Sequence, residues 1–435
     1  MKNTVAGETV AGATNPRDDR PTRGSREYRA ITLALFAAGL TTFVSMYSVQ
    51  ALLPALTDDF GVAPAVAALA VSVTTGMVAV AIIPASVLSE RFGRTRVMVT
   101  SAAVSSVLGV LVPLSPSIEV LLVGRAVQGM ALAGIPAVAM AYLAEEVGSR
   151  DLGSAMGRYI AGTTIGGLVG RLVPSVVLDV ASWRWAMEAA SVLALVLAVV
   201  MTRKLPPSRN FRPQRVHPRI VLANLAGHLR NPALATLFSL GFLLMGGFVS
   251  AYNFLGFRLL AEPFSLPEAL VGLVFLMYLA GTYTSAAAGA AADRFGRATV
   301  LLGAVAVMAA GLVITLTPLL PLVLLGMLLF TGGFFAAHSV ASGWVGLLAT
   351  EHRAEASSMY LFSYYLGSSV AGAAAGVAYA WGGWPATVGF VGVLLVIAVA
   401  GASGMFRQSR PGPGRRVRAS AGGPGRREHR DGSDE

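Results

Sequence analysis

Within long stretches that carry almost no charge, this sequence places a few side chains able to do chemistry. These are Arg125 with Gln128 and Gly129, Arg171, Glu188, and His338 with Tyr364 and Tyr365 further on. A charged side chain in the middle of an apolar segment costs at least about 2.5 to 3.5 kcal/mol to hold in lipid, so it should face water, a partner or a passing solute. Histidine exchanges its proton near neutral pH. Such groups suit the handling of charge rather than bond making. Cysteine is absent, and the five histidines (His217, His228, His338, His352, His429) include no pair at metal-ligand spacing. No nucleophile–base set and no Gly-x-x-x-x-Gly-Lys-Ser/Thr phosphate loop occurs, so an enzyme and an ATP-driven pump are both disfavoured. No metal or bound cofactor is expected.

The elements that must position these groups follow from composition. The 435 residues are 55% hydrophobic and 13% charged, with a mean hydropathy of +0.67. A soluble chain would carry about twice that charge. About 20 apolar residues cross the hydrocarbon of a bilayer as a helix. Residues 30–57, 60–89, 97–118, 231–257 and 269–292 hold no formal charge, and each is one span. Residues 298–350 and 356–406 are also uncharged but too long for one helix, and each is a pair. Thr317-Pro318-Leu319-Leu320-Pro321 breaks the first and Trp381-Gly382-Gly383-Trp384-Pro385 the second. Three segments with one or two internal charges complete a set of twelve: 118–143, 155–177 and 184–202.

The cations set the expected orientation. Of the 33 Lys and Arg residues, 29 fall in segments on one side of the twelve-span arrangement; Arg184 and Arg258 lie on the other, and Arg125 and Arg171 lie within spans. The positive-inside rule then places both termini in the cytoplasm. It also accounts for the net charge of +11 without a nucleic-acid partner. Residues 1–29 have no apolar core of a cleavable signal, so the first span is an uncleaved anchor. Both this N-tail and the basic tail 407–435 read as disordered.

A repeat organises the spans. Ser86-Val-Leu-Ser-Glu90-Arg91-Phe92-Gly93-Arg94 follows span 2, and Gly289-Ala-Ala-Ala-Asp293-Arg294-Phe295-Gly296-Arg297 follows span 8, 203 residues later. The same offset carries span 1 onto span 7. The expected fold is therefore an all-α polytopic membrane protein with twelve transmembrane helices in two pseudo-symmetric six-helix bundles. Residues 30–202 form the first bundle, 203–232 a basic cytoplasmic linker, and 233–406 the second. Parallel duplication of this kind suits a transporter with its site between the halves.

The duplicated acid-Arg-x-Gly-Arg loops resemble the signature of the major facilitator superfamily. Arg125-Ala-Val-Gln128-Gly129 is similar to the Arg-x-x-Gln-Gly motif of the drug:proton antiporter families. Gly162-Thr-Thr-Ile-Gly166-Gly167-Leu-Val-Gly170-Arg171, Gly333-Phe-Phe-Ala-Ala-His338 and Tyr364-Tyr365-Leu-Gly367-Ser-Ser resemble the YnfM-like bacterial efflux branch. The resemblance implies the major facilitator fold and a conformational lock built from Ser86, Glu90, Arg91, Gly93, Arg94, Gly289, Asp293, Arg294, Gly296 and Arg297. It implies a role for Arg125, with Gln128 and Gly129, in proton coupling or cavity electrostatics. The second loop copy keeps the family's Gly and Asp; the first has Ser86, Glu90 and Thr95 instead, which implies a weaker lock there.

Further expectations concern single residues. Arg171 and Glu188 lie at similar depth and could pair with each other or act on the transport path. Span 1 has no acid, so Asp58, Asp59, Glu188 and His338 are the candidate proton carriers; a histidine bonded to a tyrosine is the structural alternative for His338. Gly162, Gly166, Gly167 and Gly170 have the small-xxx-small spacing of close helix contacts. Phe43, Met46, Tyr47, Tyr252, Phe254, Phe334 and Phe335 are packing residues or cavity walls. The sequence thus favours a monomeric secondary transporter in the bacterial inner membrane, exporting a small molecule in exchange for protons. An uncoupled uniporter and a non-transporting receptor are the alternatives.

Overall fold

A computed structural model describes residues 20–211 and 218–409; residues 1–19 and 410–435, the bulk of the two expected tails, lie outside the described residues. Every regular element among the described residues is helical, and twelve spans form. Span 1 runs as Arg26–Tyr47, a tight turn at Ser48–Leu52 and a short helix Leu53–Phe60. Span 2 is Pro64–Phe92, span 3 Arg94–Leu111, and span 4 the two pieces Ile118–Leu132 and Gly134–Glu146. Leu152–Leu178 and Trp183–Lys204 are spans 5 and 6. In the second half, Pro232–Leu260 is span 7, Glu268–Leu273 continued by Tyr278–Phe295 is span 8, Arg297–Ile314 is span 9 and Leu320–Leu348 is span 10. The helical run Arg353–Ser409 turns at Gly382 and Gly383, the latter at φ +59°, and so divides into spans 11 and 12 at the Gly-Gly of the sequence break.

Local chemistry explains the boundaries. Span 1 begins four residues earlier than its uncharged stretch because Ser25 caps it, its hydroxyl accepting from the Tyr28 N–H. Asn231 caps span 7 in the same way, accepting from Ala233 and Leu234, with Pro232 at the first helical position. Gly93 and Gly296 stand between consecutive helices at φ +92°, ψ 150° and φ +86°, ψ 141°. That backbone is open to glycine alone, so one residue reverses the chain at each signature loop. The linker holds a helix, Pro218–Arg230, which its basic composition conceals.

Glycines set how closely the helices pack. A methyl group at Gly162 would strike the Phe36 carbonyl, at Gly166 the Leu40 backbone, and at Gly170 the Val44 backbone, so span 5 lies directly on span 1. Gly367 lies on the Phe242 carbonyl in the same manner, joining spans 11 and 7. Large apolar side chains such as Trp185, Trp381, Val180 and Val377 stand exposed, which a lipid-facing surface explains.

The two halves touch at the end opposite the arginine-rich loops and along the adjoining parts of spans 2 and 11. Ala65 sits under Gly376, Ser72 under Gly372, and the Ser368 hydroxyl donates to Thr75 at 3.3 Å. Spans 5 and 8 meet where Ser175 faces Gly272. At the basic end, no hydrogen bond or ion pair joins described residues of the two halves.

Candidate functional site

Arg125 is fully buried in span 4. Its guanidinium donates to the carbonyls of Ser45 at 2.8 Å, Met46 at 2.7 Å and Ala70 at 3.3 Å, and to Gln128 Oε1 at 2.6 Å. Span 1 leaves α-helical geometry at Tyr47 (φ −111°, ψ 0°), which turns the Ser45 and Met46 carbonyls to an outside donor. Gln128 Nε2 donates in turn to the Ser105 carbonyl at 3.1 Å. A methyl at Gly129 would strike the Thr74 carbonyl. The Arg-x-x-Gln-Gly motif therefore fastens spans 1, 2, 3 and 4 together, and Arg125 has no carboxylate partner among the described residues.

Arg171, 1% exposed, lies at the seam between the halves. Its Nε donates to Gln50 Oε1 at 2.6 Å and its Nη1 to the Gly167 carbonyl at 2.5 Å. Gln50 Nε2 continues the chain across the seam to Asn253 Oδ1 at 2.6 Å. The guanidinium carbon stands 4.1 Å from the Tyr47 ring, 4.7 Å from Tyr278 and 5.3 Å from Phe275, so aromatic faces of both halves receive the cation. The ion pair with Glu188 does not form: Arg171 is already held by Gln50, Gly167 and these rings, and Glu188 is half-buried on span 6. Gly167 leaves the room this needs, since a methyl there would come within 3.3 Å of Arg171 Nη1 and 3.8 Å of Phe43.

In the other half, His338 Nδ1 is 3.0 Å from the Tyr360 hydroxyl. Its ring stacks on Phe334 and tilts against Tyr364 at 4.8 Å, and Tyr364 meets Tyr365 edge-on. His338 and Tyr364 come together as their depth implied, but the bonded tyrosine is Tyr360. A stack of Phe248, Phe334, Phe335 and Tyr278 links this group to the seam at Arg171. Phe43, Phe335, His338 and Tyr364 are half-buried at the middle of their spans, whereas Met46, Tyr252 and Phe254 are fully packed.

The two signature loops differ in how each is held within its own half. In the first copy Arg94 is 6% exposed and binds Glu90 at 2.7 Å, Glu145 at 2.8 Å and Ser89 Oγ at 2.6 Å, with Phe211 of the linker 5.4 Å below it. Glu90 reaches Arg94 as an aspartate would, and Ser86 supplies the carbonyl that accepts from Ser89. In the second copy, among the described residues, Arg297 bonds only Asp293, at 3.3 Å one turn away, and a methyl at Gly289 would meet none of them. Arg91 and Arg294 lie against their neighbouring Phe92 and Phe295.

These paired loops and the two bundles they serve agree with comparison to known proteins. The Major Facilitator Superfamily model matches residues 35–259 and 248–429. The chain belongs to that superfamily. It is 43% identical over 377 residues to the inner membrane transport protein YnfM of Escherichia coli, covering 87% of this chain and 90% of that one. Identity to the MFS-type transporter YybF of Bacillus subtilis is 41% over the same length, covering 93% of YybF. A bacterial homologue of the human lysosomal transporter Spinster, in an inward-facing and unoccupied conformation, superposes with a TM-score of 0.71 at 16% identity, over 90% of this chain and all of that one, a likeness of fold. This superfamily member is thus a multi-pass membrane transporter of the YnfM-like branch that takes a small molecule within the membrane, and not an enzyme.

Several participants escape sequence reasoning. Glu145 pairs with Arg94 from 51 positions away; its only signal is that Glu145-Glu146 are the acids at that end of span 4. Glu146 holds the linker through the backbone and side-chain N–H groups of Asn210. Gln50, Asn253 and Tyr278 are ordinary residues until the halves meet.

Proposed function

We propose that this transporter exports a small organic molecule, drug-like, sugar-like or a metabolite, in exchange for protons by alternating access. It works as a monomer in the bacterial inner membrane with both termini cytoplasmic and draws energy from the proton gradient without a bound cofactor. The observation that carries the reading is the one-ended contact between the halves. The Gln50–Asn253 bond and the aromatic clasp on Arg171 hold the periplasmic end, while at the arginine-rich, cytoplasmic end no polar link joins the halves among the described residues. Rocking the bundles would exchange these contacts for new ones at the signature loops, where Glu90, Arg94, Asp293 and Arg297 are the locking charges.

His338 is proposed as the proton carrier, since among the described residues it is the one histidine within a span, and it stands half-buried between Tyr360 and Tyr364. Arg125 then shapes the bundle around the path instead of carrying the proton. An uncoupled uniporter is the second reading, favoured by the lack of an acid in residues 30–57 and by two buried arginines without a carboxylate. Flux into proteoliposomes with an imposed pH gradient separates them. Coupled export predicts gradient-driven movement lost in His338→Gln; movement indifferent to the gradient in the unaltered protein would establish the uniporter.

A further inference from the structure

The seam at Arg171 is built for more than closing the bundle. Arg171 spends only Nε and Nη1 on hydrogen bonds, both to neutral oxygens, and its Nη2 bonds no described residue. A guanidinium has five N–H donors, and a buried one without an anion is unusual because its charge is left uncompensated. The two rings closest to it, Tyr47 and Tyr278, are 2% and 6% exposed, and neither hydroxyl has a hydrogen-bond partner among the described residues. A buried hydroxyl without a partner is costly, so two of them beside one under-used cation call for an explanation.

We propose that Arg171, Tyr47 and Tyr278 form the seat for the oxyanion of a small organic anion with an apolar, flat body. The seat rests on the transporter reading above and specifies its substrate class. An oxyanion accepts from the free guanidinium edge and from both phenols, which satisfies all three at once. A cation finds no carboxylate within the seat: among the described residues no Asp or Glu lies at the middle of a span, and Glu268, in the first turn of span 8 beside a small cavity lined by Gln50 and Phe275, forms no ion pair with Arg171. A neutral solute would leave the guanidinium uncompensated. The half-buried faces of Phe43, Phe335 and Tyr364 line the approach from the cytoplasmic side, Phe43 lying 5.9 Å from Tyr47 and Phe335 5.7 Å from Tyr278, which suits an aromatic or alicyclic body. Entry of the anion would turn Arg171 from its aromatic clasp toward the ligand, loosening the contact between the halves as the substrate binds.

The test is equilibrium binding to the purified full chain of three probes of one shape: 2-naphthoate, 2-naphthamide and 2-naphthylmethylammonium. Naphthoate is expected to bind at least about tenfold more tightly than the amide, and the ammonium more weakly still, as a charge-assisted bond to a buried guanidinium implies. Arg171→Gln should abolish that preference, naphthoate losing more affinity than the amide, Arg171→Lys should keep part of it, and Tyr278→Phe should weaken naphthoate a few-fold. Equal binding of naphthoate and amide, a preference that survives Arg171→Gln, or binding of none of the three would overturn the seat. Anion preference without gradient-driven flux would contradict coupled export and leave the seat standing; gradient-driven flux of neutral or cationic solutes alone would do the reverse.

Discussion

The two halves share their packing and differ in their charge. Gly162 lies on the Phe36 carbonyl in one and Gly367 on the Phe242 carbonyl in the other, and Gly93 and Gly296 make the same backbone turn. Both fully buried guanidiniums, Arg125 and Arg171, belong to the first half. The second contributes stacked aromatics and His338. Close helix contact constrains backbone positions and is kept in both copies, whereas the buried guanidiniums and the histidine each occur in one copy alone. The difference teaches that the working asymmetry of the transporter lies in where charge is buried, and that the seam between the halves is where the two chemistries meet.

The comparison can be broken first at Arg125. Its replacement by Ala takes the side-chain donor from the Met46 carbonyl and the Gln128 oxygen, at about 1 to 3 kcal/mol each, while the Ser45 and Ala70 carbonyls keep the hydroxyls of Ser48 and Thr74. The expected loss is on the order of 4 kcal/mol, read as a large fall in the unfolding midpoint in detergent, and a fall within measurement error would remove its fastening role. Gly162→Val and Gly367→Val come next. Each drives a side chain into a backbone carbonyl, and both should lose about 2 to 4 kcal/mol, overpacking at its more severe end. Tolerance at only one of them would show that the shared packing is not equally needed.

The signature loops sharpen the contrast. Arg94→Ala removes two carboxylate contacts and one hydroxyl contact from a buried site and should cost about 2 to 3 kcal/mol. Arg297→Ala removes one exposed pair within a helix turn and should cost no more than about 0.5 kcal/mol. Equal effects would mean that the linker and Glu145 do not support the first loop. The smallest expected effect on stability is that of Gln50→Leu, within about 1 kcal/mol. Its effect should appear instead as greater access of labelling reagents to a cysteine placed at the periplasmic seam, at Pro54; unchanged labelling would show that the Gln50–Asn253 bond does not hold that end.

The spans were legible because a charge-free run of membrane length has few other uses, and because Pro and Gly mark the breaks at 317–321 and 381–385. The duplicated loops were legible as an offset of 203 residues. The linker helix was not, since its apolar face rests on few residues, Val221 and Leu225 chief among them, set in a basic stretch. Nor could the partners of the buried charges be read. Arg171 and Glu188 share a depth in the membrane, but depth leaves the direction around each helix open, and Arg171 turns toward Gln50 and the other half instead. What holds the first loop in place came from Glu145 and Phe211, residues outside the motif. Recurrent spacing reveals elements; contacts between distant segments appear only once those elements are packed.

The central claim is that the halves rock about a seam that closes the end opposite the signature loops, the periplasmic end in the orientation proposed above. The chain has no cysteine, so spin labels can be placed on an unaltered background. One pair, Phe92→Cys with Phe295→Cys, spans the cytoplasmic end at equivalent positions of the repeat, and another, Val180→Cys with Leu319→Cys, spans the periplasmic end at exposed sites. Adding Arg171→Gln to each and measuring the label distances is the most direct test. The account predicts opposite changes, the periplasmic distance lengthening as the cytoplasmic one shortens. Distances that stay fixed, or that change in the same direction at both ends, would contradict it.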